Sequence, residues 1–194
     1  MFLLAHAGIT LGAAYPVERV VNYRSVSRSD ASVLPPAPVG LGPLSIDYRF
    51  IVLGALLPDI IDKPLGLILL PGLGNGRTLL HTLLFLLLTL LAAFVIYRRH
   101  RALWGFYIAF GVLMHFLMDA IWNDPVTFCW PFLGPFAAYP GTTFFLALQR
   151  WLQTLTTEPG VYLPEIAGFI ILLWFALKLI VRKRVTLFVL QGRL

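Results

Sequence analysis

Five long runs of apolar residues, separated by polar or proline-rich stretches, dominate this chain. Such runs predict membrane-spanning helices, because about 20 apolar residues in helical conformation cross the hydrocarbon core of a bilayer. The second run is short for a full span, and Pro16 is expected to kink the first. We therefore predict an all-α, multi-pass transmembrane helical bundle that forms a single membrane-embedded domain over residues 1–194. Its five membrane segments are predicted at 2–21, 46–61, 79–97, 103–122 and 166–181.

Shorter elements are expected in the stretches between these runs. Residues 22–45 are polar and proline-rich and predict a loop. A short helical or re-entrant piece is expected between Pro64 and Leu70, and Thr78 is a suitable N-cap for the third segment. Residues 123–163 predict an external connection rich in aromatic residues and proline. Within it, residues 143–155 have an apolar face interrupted by polar side chains, which suits a helix in the membrane interface and equally a packed core helix.

Composition supports the membrane assignment. Hydrophobic residues make up 59% of the 194 residues and the mean hydropathy is +0.83, whereas soluble domains are only about 45–50% apolar. The single Cys129 excludes an intramolecular disulfide and a multi-cysteine zinc site. The net charge of +6 does not indicate nucleic-acid binding, because no basic stripe with interleaved aromatic residues lies outside the membrane flanks. Residues 1–14 lack the features of a cleaved signal peptide, so a retained helix is predicted.

The basic residues predict an orientation in the membrane. If the arginines of the Arg98–Arg101 stretch are cytoplasmic, alternation of the segments places twelve of the 15 Lys and Arg residues on that side, as the positive-inside rule requires. The N-terminus is then external and the C-terminus cytoplasmic. The three exceptions are Lys63, Arg77 and Arg150.

His115 and Asp119 interrupt the fourth apolar run four residues apart. At helical spacing they share one face and can hold a metal ion together. A central Asp in a lipid-buried helix costs roughly 2.5–3.5 kcal/mol on insertion scales, so such residues usually mark function. The same spacing also suits a His–Asp hydrogen bond that only fixes helix packing.

The predicted topology brings further polar residues to the same depth near the external side. At ~1.5 Å per residue, His6 and His81 lie about 5–8 Å from the outer ends of their helices, and Asp59 and Asp62 end the second segment there. Three imidazoles with two or three carboxylates suit Zn²⁺, which lowers the pKa of a bound water to about 7. Carboxylate bridging would allow two ions. The predicted metal ligands are His6, Asp59, His81, His115 and Asp119.

Other roles at this site stay open from the sequence. Asp59 or Asp119 can act as a general base instead of a ligand, and Asp62 can either bind metal or orient a residue that does. Arg77, one turn before His81, can pair with an anionic group of a substrate, such as phosphate, and stabilise the charge that develops in the reaction. It can equally anchor a helix to lipid headgroups.

Several of these residues together resemble the membrane-bound, metal-dependent hydrolase family of the YdjM type. The resemblance lies in His6, Gly54-x-x-x-Pro58-Asp59-x-x-Asp62, Arg77-x-x-x-His81, His115-x-x-x-Asp119 and Trp130-Pro131-Phe132. That family is distantly similar to zinc-dependent phospholipase C and P1-type nucleases, which are all-helical and bind metals through His and Asp. The resemblance implies phosphoester hydrolysis, with His6, Asp59, His81, His115 and Asp119 as ligands.

The sequence therefore predicts a membrane metallohydrolase that uses a divalent ion, Zn²⁺ before others, and is able to hold two. Its expected substrate is an amphiphile such as a phospholipid or a lipid-linked phosphate at the outer leaflet, and membrane lipids are its expected partners. One alternative is a transporter with a proton or cation path, although the inner halves of the helices offer almost no polar residues for such a path. Another is a non-enzymatic scaffold.

Overall fold

The computed structural model describes residues 3–29, 46–70, 73, 75–139 and 141–193. These residues form helices and connecting turns, without any strand, so the all-α prediction is confirmed. The α-helices of this described part are α1 (Leu3–Ser29), α2 (Tyr48–Pro64), α3 (Leu83–His100), α4 (Trp104–Asp119), α5 (Pro125–Phe128), α6 (Phe144–Thr157), α7 (Pro159–Val181) and α8 (Val185–Gln191).

Two of these helices, α3 and α7, are long and apolar enough to cross a membrane. The helix α4 is also strongly apolar but has only 16 residues. The helix α2 has 17 residues and carries Asp59, Asp62 and Lys63 in its second half. The prediction of five spanning segments is therefore not confirmed by the described part of the chain.

The ends of two helices differ from the predicted ones. The helix α1 continues to Ser29, past the predicted end at residue 21, because no Gly or Pro interrupts the chain between residues 17 and 29. The predicted loop 22–45 therefore begins later, and residues 30–45 lie outside the described residues. The helix α7 begins at Pro159, before the predicted start at residue 166. Proline suits a first helical turn, where the missing N–H would have no helical partner.

The start of the third segment is also corrected. Thr82, and not Thr78, caps α3, with its Oγ1 accepting the Phe85 N–H at 3.1 Å. The residues just before it form a 3₁₀ turn, Leu79–His81, so His81 lies ahead of α3 and not in its first turn. The expected short piece after Pro64 is a π-helical turn, Leu65–Leu69, that continues α2.

Two helix pairs, α2 with α4 and α1 with α7, make the most extensive contacts. Glycines allow both pairs to approach backbone to backbone. A Cβ on Gly54 of α2 would meet the Ile108 carbonyl of α4, and a Cβ on Gly111 of α4 would meet the Ile51 carbonyl of α2. The Gly8–Gly168 contact does the same for α1 and α7. This close packing brings the second half of α2 beside His115 of α4.

Candidate metal centre

Five buried side chains meet where α1, α2, α4 and the 3₁₀ turn before α3 converge. The ligand atoms of His6, Asp59 and His115 lie within 4.8 Å of one another, and those of His81, His115 and Asp119 do the same. The three imidazoles are fully buried, and the side chains of Asp59 and Asp119 are about 5% exposed or less. The structure thus brings together all five residues predicted as metal ligands, with His115 in both groups.

The hydrogen-bond partner of His115 determines which ring nitrogen carries the proton. Its Nδ1 lies 2.8 Å from the carbonyl oxygen of Ala55. Because a carbonyl oxygen can only accept, Nδ1 is the donor, and Nε2 of the neutral ring keeps its lone pair. This lone pair is directed into the cluster.

Asp62 determines in the same way which ring nitrogen of His81 carries the proton. The Asp62 carboxylate is fully buried and accepts backbone N–H groups of Thr78 at 2.8 Å, Leu80 at 3.0 Å and His81 at 3.2 Å. It also lies 2.8 Å from Nδ1 of the His81 ring, so that nitrogen donates and Nε2 keeps the lone pair. These bonds hold the chain in its 3₁₀ turn, which is why Thr78 does not cap α3. Asp62 therefore contacts the far side of a candidate ligand and belongs to neither group of ligand atoms, an arrangement typical of metal-binding histidines.

The two lone pairs face each other at short range. The Nε2 atoms of His81 and His115 are 3.1 Å apart, and neither carries a proton in the neutral form that their partners select. Two lone pairs repel at this distance unless a positive charge lies between them. Nitrogen ligands about 2.0–2.1 Å from a tetrahedral Zn²⁺ are separated by roughly 3.3 Å, so the spacing fits a shared metal ion.

Asp119 connects the cluster to its surroundings through both carboxylate oxygens. Oδ1 lies 3.3 Å from Nε2 of His6, whereas Oδ2 lies 2.7 Å from the guanidinium of Arg77 and 4.0 Å from Nε2 of His115. Asp59 is arranged similarly, with Oδ1 3.7 Å from Nε2 of His81 and Oδ2 2.6 Å from Nζ of Lys63. Each carboxylate therefore directs one oxygen at an imidazole while the other pairs with a cation.

A cavity of about 300 Å³ leads from these ion pairs to the surface. Both carboxylates and both cations line it, and α6 covers it from one side. The indole of Trp151 lies 4.9 Å from Nζ of Lys63, within range of a cation–π interaction. The lining residues are Asp59, Lys63, Asn75, Gly76, Arg77, Asp119, Trp151, Thr154 and Val161. The polar cluster is thus reached from the surface through a mouth where two cations, Lys63 and Arg77, pair with two carboxylates, Asp59 and Asp119.

Sequence reasoning missed two contributors to this mouth. Lys63 follows Asp59 by four residues on a helix, a spacing that predicts an ion pair, so its role could have been found. Trp151 lies on α6 far along the chain, and nothing in the local pattern shows where that helix packs. A helix over residues 143–155 was predicted, and the structure has it at Phe144–Thr157, with Phe145 and Leu152 exposed on an apolar face.

The model of the YdjM inner membrane protein family matches residues 1–187. The chain belongs to the YdjM inner membrane protein family. This confirms the family part of the resemblance and agrees with the membrane location that hydropathy predicts. No curated protein and no solved structure matches the chain. The orientation of this YdjM family member in the membrane stays a prediction.

Proposed function

We propose that the chain is a membrane-embedded, metal-dependent hydrolase that cleaves a phosphoester of a lipid or lipid-linked substrate. The observation that carries the proposal is the pair of imidazole Nε2 atoms of His81 and His115, 3.1 Å apart with lone pairs facing each other. With both rings neutral, a site built only for helix packing gains nothing from this contact, because two acceptors cannot hydrogen-bond. A site built for a cation gains two ligands whose orientation is already fixed by Ala55 and Asp62.

The donor set suits Zn²⁺ and limits how many ions it can hold. Imidazole nitrogens and carboxylate oxygens are ordinary zinc ligands. Since one imidazole nitrogen binds one ion, His115 can serve only one of the two groups at a time. If the site holds two ions, Asp59 and Asp119 are the residues placed to be shared between them. A bound divalent ion would supply Lewis-acid chemistry and activate water for attack on phosphorus.

The residues at the mouth supply binding and charge stabilisation. Lys63 and Arg77 lie on the cavity side of the two carboxylates and can turn to the non-bridging oxygens of a phosphoryl group. Their positive charges would then offset the negative charge that grows on those oxygens during attack. A carboxylate released from its cation can bind metal or take a proton from the attacking water.

The surroundings of the mouth favour an amphiphilic substrate. The helix α6, which covers the cavity with Trp151 and Thr154, exposes Phe145 at 80% and Leu152 at 55% on another face. Apolar side chains exposed beside a charged mouth suit a position at the boundary between lipid headgroups and acyl chains. With the predicted topology, this boundary is that of the outer leaflet.

The proposal is tested by lipid hydrolysis in nanodiscs, measured as inorganic phosphate from a phosphate monoester and as glycerol phosphate or phosphatidic acid from a diester. We would supply a phosphate monoester, phosphatidic acid, and a diester, phosphatidylglycerol, to chelator-treated protein before and after addition of Zn²⁺ or Mn²⁺. We expect metal-dependent cleavage of at least one lipid, with a loss of about 100-fold or more in His81→Ala and Asp119→Asn. The control His100→Ala changes a histidine outside the cluster and should keep full activity. Absence of cleavage by the metal-loaded wild type would reject the proposed reaction. Cleavage by His81→Ala and Asp119→Asn at the wild-type rate would also reject it.

A further inference from the structure

An apolar groove of about 340 Å³ lies on the surface of α1, α6 and α7. It is separate from the charged cavity, and its lining consists mainly of large apolar side chains. These residues are Leu4, Leu155, Tyr162, Glu165, Ile166 and Phe169.

The groove and the charged cavity share the corner between α6 and α7. Thr154 and Val161 line the cavity, whereas the next residue in each case, Leu155 or Tyr162, lines the groove. The two openings therefore lie on either side of the same short piece of chain. On α1, Leu4 of the groove comes two residues before His6 of the metal cluster.

The groove lies on a helix with the composition of a membrane span. Ile166 and Phe169 are about half exposed, and both belong to α7, one of the two helices with the length and hydropathy of a membrane span. The carboxylate of Glu165 does little to make the groove polar, because it is 6% exposed and accepts the Ala5 N–H at 3.2 Å.

We propose that this groove binds one hydrocarbon chain of a lipid phosphate whose headgroup occupies the charged cavity. The inference rests on the proposed function and specifies how its substrate is held. Its basis is the continuity of the two sites. Lys63 and Arg77, which pair with Asp59 and Asp119 in the structure, would turn to the anionic headgroup, and a chain leaving that headgroup would meet the groove at the α6–α7 corner. The groove thus selects membrane lipids over soluble phosphate esters, and the α6–α7 corner determines the direction in which the substrate lies.

A photo-cross-linking experiment tests this placement without requiring turnover. The full-length protein in phosphatidylcholine nanodiscs would receive phosphatidic acid with a diazirine midway along one chain. Phosphatidylcholine that carries the same diazirine chain is the control probe, because it measures labelling by the lipids that surround the protein. We expect the phosphatidic acid adducts to concentrate in residues 155–169. The combined substitution Lys63→Ala and Arg77→Ala should lower them by about tenfold, because it removes the charge-assisted contacts to the headgroup.

Two single substitutions provide a matched comparison. Leu155→Trp fills the groove and should lower the adducts, whereas Leu152→Trp adds the same ring to the exposed face of α6 and should not. The proposal would be overturned if both probes labelled residues 155–169 equally, and if neither Leu155→Trp nor the loss of Lys63 and Arg77 changed that labelling. Such a result would indicate lipid that surrounds the protein without a specific site. Adducts in the groove without phosphate release would reject the hydrolase but keep the groove. Phosphate release without groove adducts would reject the groove as a lipid site but keep the hydrolase.

Discussion

The Nε2 atoms of His81 and His115 lie 3.1 Å apart in the protein interior, although the ring proton of each is held on the opposite nitrogen by an acceptor. The contact is unfavourable between two neutral rings and becomes favourable when a cation lies between them. The two rings come from separate elements, the turn before α3 and the helix α4. Their approach therefore depends on the whole bundle and not on a local motif.

Asp62→Asn should weaken metal binding while the helices stay folded. An amide cannot accept from all of the N–H groups that now bond the carboxylate, so the His81 ring loses its fixed orientation. Loss of such an outer partner typically lowers metal affinity by about 10–100-fold. The measurement is a competition titration with a zinc chelator, with circular dichroism to follow helix content.

Asp47→Asn is the matched control for that substitution. Asp47 caps the other end of α2 and bonds Arg49, away from the cluster. Equal zinc affinity in wild type and Asp62→Asn, or an equal loss in Asp47→Asn, would contradict the role assigned to Asp62.

The close approach of α2 and α4 should make Gly111 sensitive to a single added methyl group. Gly111→Ala places a Cβ against the α2 backbone, and overpacking of this kind costs about 1–3 kcal/mol. The free energy of unfolding in mixed micelles measures this cost. Gly160→Ala is the comparison, because nothing lies within 4 Å of its added Cβ. It should leave stability unchanged or raise it by up to about 1 kcal/mol, and similar losses in both variants would argue against backbone contact.

Much of the candidate site could be predicted because charge and depth constrain a membrane helix strongly. His6, Asp59, His81, His115 and Asp119 are polar residues that the predicted topology places at one depth, and the structure brings them into one cluster. This follows from the cost of leaving ionisable groups in lipid without partners. The family model adds the membrane location but not the chemistry.

Details that depend on long-range contacts could not be predicted. The start of α3 shifts from Thr78 to Thr82 because a carboxylate 16 residues earlier takes the Thr78 N–H. The helical continuation of α1 to Ser29 reflects a polar stretch without a breaking residue, which composition alone indicated as loop. The contact of Trp151 with Lys63 depends on where α6 packs, and its own sequence shows only that it has an apolar face.

Glu165 should stabilise the start of α1 and thereby the position of His6. Its buried carboxylate accepts the Ala5 N–H, one residue before His6 and near the positive end of the helix dipole. Glu165→Ala should therefore lower zinc affinity by about tenfold, as expected for an indirect contribution. Glu158→Ala, at an exposed position just before α7, serves as control. Unchanged affinity in Glu165→Ala, measured by the same chelator competition, would show that α1 holds His6 without this contact.

Lys63 should contribute to binding of an anionic substrate. Lys63→Met removes the charge but keeps the apolar stem near Trp151, so KM for a lipid phosphate should rise by about tenfold or more. Lys63→Arg should restore most of the binding, whereas Arg150→Ala on the exposed face of α6 should have no effect. Steady-state kinetics in nanodiscs provide both kcat and KM. A KM that is unchanged in Lys63→Met would remove Lys63 from the binding site.

The central claim is a cation held between His81 and His115, and metal analysis of the purified protein tests it most directly. After zinc loading and dialysis, mass spectrometry of the wild type should show about one or two equivalents of zinc. His81→Ala and His115→Ala should lose most of it, while His100→Ala should match the wild type. A wild-type protein without stoichiometric transition metal, or cluster variants that keep the full amount, would contradict the account.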